Sequence, residues 1–197
     1  MIVMPDYFVN GPYINGDTSS FLFYPRVIWV LLTGGLNKYP WDTSLKPHFD
    51  ATVSYLLNEC QVTKVGVWGF CWGAYVSFRA CGESAHKAVI VGSVSCHPSV
   101  GSLSKRFGED EEVIVRKVTC PQLVLSTSEE PVEWKPGGKM EKILKEICSP
   151  SSSFQPFIEY HQTHGFVTRG DLKDEKVASD MRDAIYRTAE FLKTTFV

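Results

Sequence analysis

A short apolar run, Val65-Gly66-Val67-Trp68, leads directly into Gly69-Phe70-Cys71-Trp72-Gly73 and then into an apolar segment of helical character. A strand that turns into a helix without an intervening loop strains the backbone of its pivot residue and lifts that side chain above the sheet edge. Small residues two places to either side relieve the crowding. Gly69 and Gly73 stand at those places, so Cys71 is the pivot. The helix that starts there turns the positive end of its dipole toward the sulfur, which favours thiolate over thiol. Taken alone, the pentapeptide fits a buried core or turn cysteine as well, since cysteine is among the most buried residue types.

Order along the chain favours the chemical reading. The acidic pair Glu129-Glu130 follows the apolar run Gln122-Leu123-Val124-Leu125, and His164-Gly165-Phe166 follows Phe157-Ile158-Glu159-Tyr160. Nucleophile, acid, then histidine is the chain order of an α/β-hydrolase triad.

The rest of the chain supplies a matching scaffold. Ile2-Val3-Met4 reads as a strand end, and residues 10–20 as a loop rich in glycine, asparagine and aromatic residues. Phe49, Val53, Leu56, Leu57 and Cys60 recur at helical spacing behind Thr43 or Ser44 as a cap. The helix after the elbow runs through Tyr75-Val76-Ser77-Phe78 to Gly82, and residues 87–94 are β-rich. Strands are expected at 122–126 and 154–160, and helices at 138–147 and 173–193. In the last helix Val177, Met181, Ile185, Thr188 and Leu192 form the inward stripe, with Asp171 as its cap. Strands alternating with helices imply crossover connections: an α/β fold, a mainly parallel doubly wound sheet with helices on both faces. Cys71, Glu129 and His164 would share its carboxyl edge.

At 197 residues the sequence suits one domain spanning 1–197. With 21% charged residues, 44% apolar residues and a formal net charge of -2, neither a disordered chain nor a nucleic-acid surface is indicated, and a small-molecule partner is expected. The most apolar stretch, residues 27–32, is too short to span a membrane and reads as a buried segment. Six cysteines without a C-x-x-C pair and without a preceding secretory signal read as reduced thiols of a cytoplasmic protein.

Gly69-Phe70-Cys71-Trp72-Gly73-Ala74, Trp134-Lys135-Pro136-Gly137-Gly138, His164-Gly165-Phe166-Val167-Thr168-Arg169-Gly170 and a closing helix with Arg187-Thr188-Ala189-Glu190-Phe191-Leu192 together resemble the dienelactone hydrolase (carboxymethylenebutenolidase) family. The resemblance spans nearly the whole chain, and an elbow with cysteine followed by tryptophan is its most specific part. It implies an α/β-hydrolase fold and a Cys-His-Asp triad that hydrolyses small lactones and esters without metal or cofactor. Two departures accompany it. Where the family usually has aspartate, this chain offers Thr127-Ser128-Glu129-Glu130; Glu129 is the expected acid, with Glu130 close behind. The opening residues, Met1 to Phe8, resemble a strand that family members reach only after a few dozen earlier residues, so the leading strands are expected to be missing. An exposed sheet edge would then invite pairing in a homodimer. The lost segment would also carry one of two oxyanion N–H donors, the other being that of Trp72. A truncated isoform, an incomplete gene model and a pseudoenzyme all stand as explanations.

Around the triad, His97 ends another apolar strand and is a candidate pocket residue or alternative base, although a polar strand end explains it too. Arg169, just after His164, suits a substrate carboxylate, or a surface arginine. Trp72, Trp134 and Phe166 are candidate cavity walls, though aromatics at such places also simply pack. His161 and His164 lie three apart, but nothing else has metal-ligand spacing, and no metal is expected. The leading function is a cysteine hydrolase of small lactones or esters. A catalytically silent binding or regulatory domain and a redox-responsive thiol protein are the rivals.

Overall fold

The computed structural model describes the backbone of residues 2–4 together with residues 39–148 and 155–196. Five strands form one sheet in the order β1 (Ile2–Met4), β2 (Val65–Phe70), β3 (Ile90–Cys96), β4 (Gln122–Thr127) and β5 (Phe157–Tyr160), every neighbouring pair parallel. Each described strand adds on the same side of the one before it, and right-handed crossovers in one direction must all pass over one face.

That face is covered by α1 (Lys46–Asn58), α2 (Trp72–Cys81), α3 (Val100–Phe107), α4 (Glu111–Arg116) and α5 (Lys139–Cys148). Phe49, Val53, Phe78, Val100, Ile114 and Leu144 pack there against Val65, Val67, Val124 and Phe157. After β5 the chain turns through α6 (Phe166–Arg169) and returns as α7 (Glu175–Thr195) across the opposite face. Phe166, Ala184, Phe191 and Leu192 meet Phe70, Val94, Leu123, Leu125 and Tyr160 on that side. Within β4, Val124 belongs to one cluster and its neighbours Leu123 and Leu125 to the other, as the two-residue repeat of a strand buried on both faces requires. The doubly wound parallel sheet with helices on both faces is therefore the fold of this protein.

Local departures from the sequence expectation have identifiable causes. No side chain caps α1; its chain enters through a π-helical turn, Trp41–Leu45, tied down by Trp41, whose indole Nε1 donates to Glu83 at 2.8 Å. The cap of α7 is Asp174, which accepts from the backbone of Lys176 and Val177; Asp171 instead accepts from Lys173 in the preceding turn. The inward stripe of α7 consists of Ala178, Ala184, Thr188, Phe191 and Leu192, whereas Ile185 is 46% exposed. Small Ala184 allows close approach to the sheet, and apolarity alone does not reveal that preference. The short helices α3 and α4 give too few turns for a periodic signal. The strand expected at 154–160 is observed from Phe157. The loop expected over 10–20 and the apolar segment at 27–32 lie outside the described residues. No helix among the described residues is long and apolar enough to cross a membrane.

Candidate active site

Cys71 sits between the end of β2 and the start of α2 with φ 51 and ψ -113, a strained conformation for a residue with a side chain. Its N–H donates to the carbonyl of Cys96 at 3.0 Å, and its carbonyl accepts from Ser99 N at 3.2 Å, so the end of β3 and the loop after it hold the pivot. The glycine at position 69 is explained by close approach. A Cβ there would stand 2.5 Å from the carbonyl oxygen of Gly73 and would also strike the hydroxyl of Ser77, which itself donates to Gly73 O at 2.9 Å.

The remaining groups converge on that edge from the loops after β3, β4 and β5. His164 follows β5 and is half-buried; its ring is hydrogen-bonded to Glu130 on one side and interacts with the Cys71 sulfur, which helps to raise its pKa. The Nδ1···Oε1 distance to Glu130 is 2.7 Å, which leaves Nε2 for the sulfur. Glu130, only 6% exposed, also accepts from the backbone N–H of Thr127 through Oε2. Burial works against an ionised Glu130 carboxyl, but its bonds from His164 and Thr127 prevail and hold its pKa below the ordinary value. Burial likewise opposes charge on His164. Its hydrogen bonds to Cys71 and Glu130, and the charges of the same two groups, outweigh that penalty and push its pKa up to about 10.

The acid on the ring is thus Glu130, not the expected Glu129. Glu129 is exposed and accepts instead from the backbone N–H of His164 at 2.7 Å. The two neighbours hold the histidine together, one by its ring and the other by its backbone.

The structure separates the other sequence candidates. His97 adopts φ 40, is fully buried, and meets the ring of His164 edge-on with centroids 4.9 Å apart. Neither of its ring nitrogens has a hydrogen-bond partner among the described residues. Burial foremost, then the nearby positive charges of His164 and Arg169, keep its pKa well below 6.5, so it is neutral and a poor base. Phe166 is 2% exposed and packs on Tyr160 and His97 within the second core cluster. Neither His97 nor Phe166 lines the adjacent cleft. Arg169 lies against Gly165 and donates from Nη2 to the carbonyl of His164 at 3.4 Å, bracing the turn that carries the histidine. Trp134 does border the cleft, but it is 1% exposed, with Nε1 on Glu111 at 2.8 Å and its ring edge-on to Phe78. Trp72 is half-buried at the first position of α2, immediately after the pivot. His161 bonds Ser128 at 3.4 Å, and no group of three metal-ligating side chains occurs among the described residues.

A cleft of about 410 Å³ opens beside this constellation. Ser99, whose hydroxyl meets the Cys71 sulfur, and His164 line it, with Glu129, Glu130, Glu133 and Lys105 among the other linings. Sequence reasoning missed Ser99, whose hydroxyl lies 3.4 Å from Cys71 Sγ. Its signal was the position: a serine three residues beyond the end of an adjacent strand.

A parallel sheet wound on both faces, with a strained nucleophile-type pivot after one strand and a histidine after the last described one, is the architecture of an α/β-hydrolase. The dienelactone hydrolase family matches residues 32–196, and the chain belongs to that family. Two relatives, each named carboxymethylenebutenolidase homolog, come from Mus musculus and Rattus norvegicus. They are 23% and 24% identical to this chain over 171 residues, 85% of its length. The same alignments cover 59% of each relative, so the chain spans less than two thirds of the curated proteins it resembles. No solved structure gives a significant match.

Proposed function

We propose that this protein hydrolyses small esters or lactones with Cys71 as nucleophile, His164 as acid and base, and Glu130 as the group that orients the imidazole. The observation that carries the reading is His164 hydrogen-bonded through Nδ1 to a buried carboxylate while its ring interacts with the sulfur on the strained pivot. Nothing in simple packing requires that alignment, whereas nucleophilic catalysis does.

The steps follow from the arrangement. His164 holds the proton and leaves the sulfur as thiolate, which attacks the ester carbonyl; a C–S bond forms and the carbonyl π pair moves onto oxygen. The Trp72 N–H, at the positive end of α2, donates to that oxyanion. The carbonyl re-forms as the C–O bond to the alcohol breaks, and His164 gives its proton to the departing oxygen. The product is a thioester. His164 then takes a proton from water, hydroxide attacks the thioester, and the thiolate leaves as the carboxylic acid is released.

The described lining of the cleft carries Glu111, Glu129, Glu130 and Glu133 against Lys105. Arg169, the sequence candidate for a substrate carboxylate, bonds the His164 carbonyl instead. Uncharged esters and lactones are therefore the preferred substrate class. The cysteines are free thiols, which suits a reducing compartment such as the cytoplasm. Hydrolysis of p-nitrophenyl acetate and of an uncharged aromatic lactone by the full chain tests the proposal, with Cys71→Ala and His164→Ala as comparators. Activity that survives Cys71→Ala would refute the nucleophile assignment.

A further inference from the structure

We propose that Ser99 is a catalytic residue whose hydroxyl hydrogen-bonds the Cys71 sulfur at rest and donates to the substrate's carbonyl oxygen as the thiolate attacks. The inference rests on the reading of Cys71 as nucleophile and adds a side-chain donor to the oxyanion site.

Ser99 stands at the N-cap of α3, where a serine hydroxyl ordinarily accepts from the helix's first N–H groups. Here it makes no such bond; the oxygen is turned away from the helix and lies 3.4 Å from Cys71 Sγ. A capping residue that forgoes its cap to meet a sulfur is the first observation. The second is how the chain delivers it. His97, with φ 40, donates its N–H to Leu125 O at 2.7 Å, and buried Pro98 stiffens the next step. Ser99 N then donates to the carbonyl of Cys71 at 3.2 Å. Ser99 is thereby bonded to the backbone and the side chain of the same cysteine, and its position relative to the sulfur is fixed twice.

The third observation is access. Ser99 lines the cleft beside His164, so a substrate reaching the sulfur passes its hydroxyl. When sulfur bonds to a carbonyl carbon, the carbonyl oxygen is only one bond further on. A donor already within reach of the sulfur needs only a hydroxyl rotation to meet that oxygen. Ser99 keeps its proton throughout: the C–S bond forms, the π pair moves to oxygen, and the hydrogen bond to sulfur is exchanged for one to the oxyanion.

Single-turnover acylation by p-nitrophenyl acetate tests this on the full chain, following the p-nitrophenolate burst and the mass of the peptide containing Cys71. Ser99→Ala should slow the acylation rate constant at saturating ester by roughly a hundredfold, as expected for loss of one oxyanion donor, with little change in half-saturation. Ser99→Thr, which keeps the hydroxyl, should recover to within about fivefold of the unmodified chain. The unfolding temperature of both variants should match the parent, because the hydroxyl caps nothing. Acylation by Ser99→Ala within about twofold of the parent, a change confined to half-saturation, or no rescue by threonine would each overturn the role. If the parent itself failed to acylate Cys71, the nucleophile reading would fall and take the Ser99 role with it. A normal parent burst with an unaffected Ser99→Ala removes Ser99 alone.

Discussion

Glu130 and His164 are joined by a 2.7 Å bond from the ring Nδ1 to Oε1, while the other carboxylate oxygen takes the N–H of Thr127. The turn after β4 makes this possible: Glu130 N donates back to Thr127 O at 3.3 Å, folding the third residue past the strand over its end. Glu129 falls on the outer side of the same turn.

The two glutamates should therefore respond differently to removal. Glu130→Ala leaves the imidazole unoriented and should lower ester turnover by at least about a hundredfold, with Glu130→Gln intermediate. Glu129→Ala removes only an exposed acceptor for a backbone N–H and should cost less than about tenfold. Steady-state kinetics of the three variants decides the matter, and a reversed order would return the orienting role to Glu129.

Cys71 should be alkylated by iodoacetamide at neutral pH ahead of the exposed Cys60, although Cys71 itself is only 5% exposed. Accessibility alone predicts the opposite order. The His164 ring beside the sulfur moves its proton as the sulfur attacks the reagent, which activates Cys71 as a nucleophile. Peptide mapping after brief labelling would read the order, and His164→Ala should restore priority to Cys60.

The placement of residues at the sheet edge was legible in the sequence wherever a steric or topological rule forced it. Gly69 stands before the pivot because a Cβ there would meet the backbone of Gly73, and the order of strand, acid and histidine follows from topology. The choice between Glu129 and Glu130 was not legible, because it depends on how one turn folds back on Thr127. Ser99 escaped notice because nothing in linear order says that the end of β3 lies over the end of β2. His97, Phe166 and Arg169 were placed at the correct sheet edge, yet that edge has an inner layer. His97 and Phe166 support His164 from within it, and Arg169 braces the histidine's own turn.

Gly69→Ala should destabilise the fold rather than merely impair the site. The added methyl would lie 2.5 Å from Gly73 O and 2.7 Å from Gly73 C, both backbone atoms that cannot rotate away. Overpacking of this kind costs about 3 kcal/mol, or roughly a 10 °C fall in unfolding temperature for a chain of this size. Thermal denaturation followed by circular dichroism gives the answer; a drop of under about 2 °C would mean that strand and helix separate easily at the elbow.

His97 and His164 are stacked edge-on yet shifted in opposite directions, and stability should depend on pH through both. The pKa of His164 is raised from 6.5 to about 10, so the stability it contributes is complete below about pH 6.5 and disappears as pH climbs through 10. The pKa of His97 is lowered well below 6.5 by burial and by the charges of His164 and Arg169. The unfolded chain therefore takes up a proton below about pH 6.5 that the folded chain refuses, and stability declines toward acid. These two rings together place a stability maximum near pH 6.5. Unfolding temperatures measured from pH 5 to 10 should trace it. His164→Ala should flatten the alkaline limb. His97→Phe should flatten the limb between pH 6.5 and 5 and raise the plateau, because it removes two buried ring nitrogens that have no hydrogen-bond partner among the described residues. An acid limb that persists unchanged in His97→Phe would assign the loss to another group and contradict the buried, neutral state of this ring.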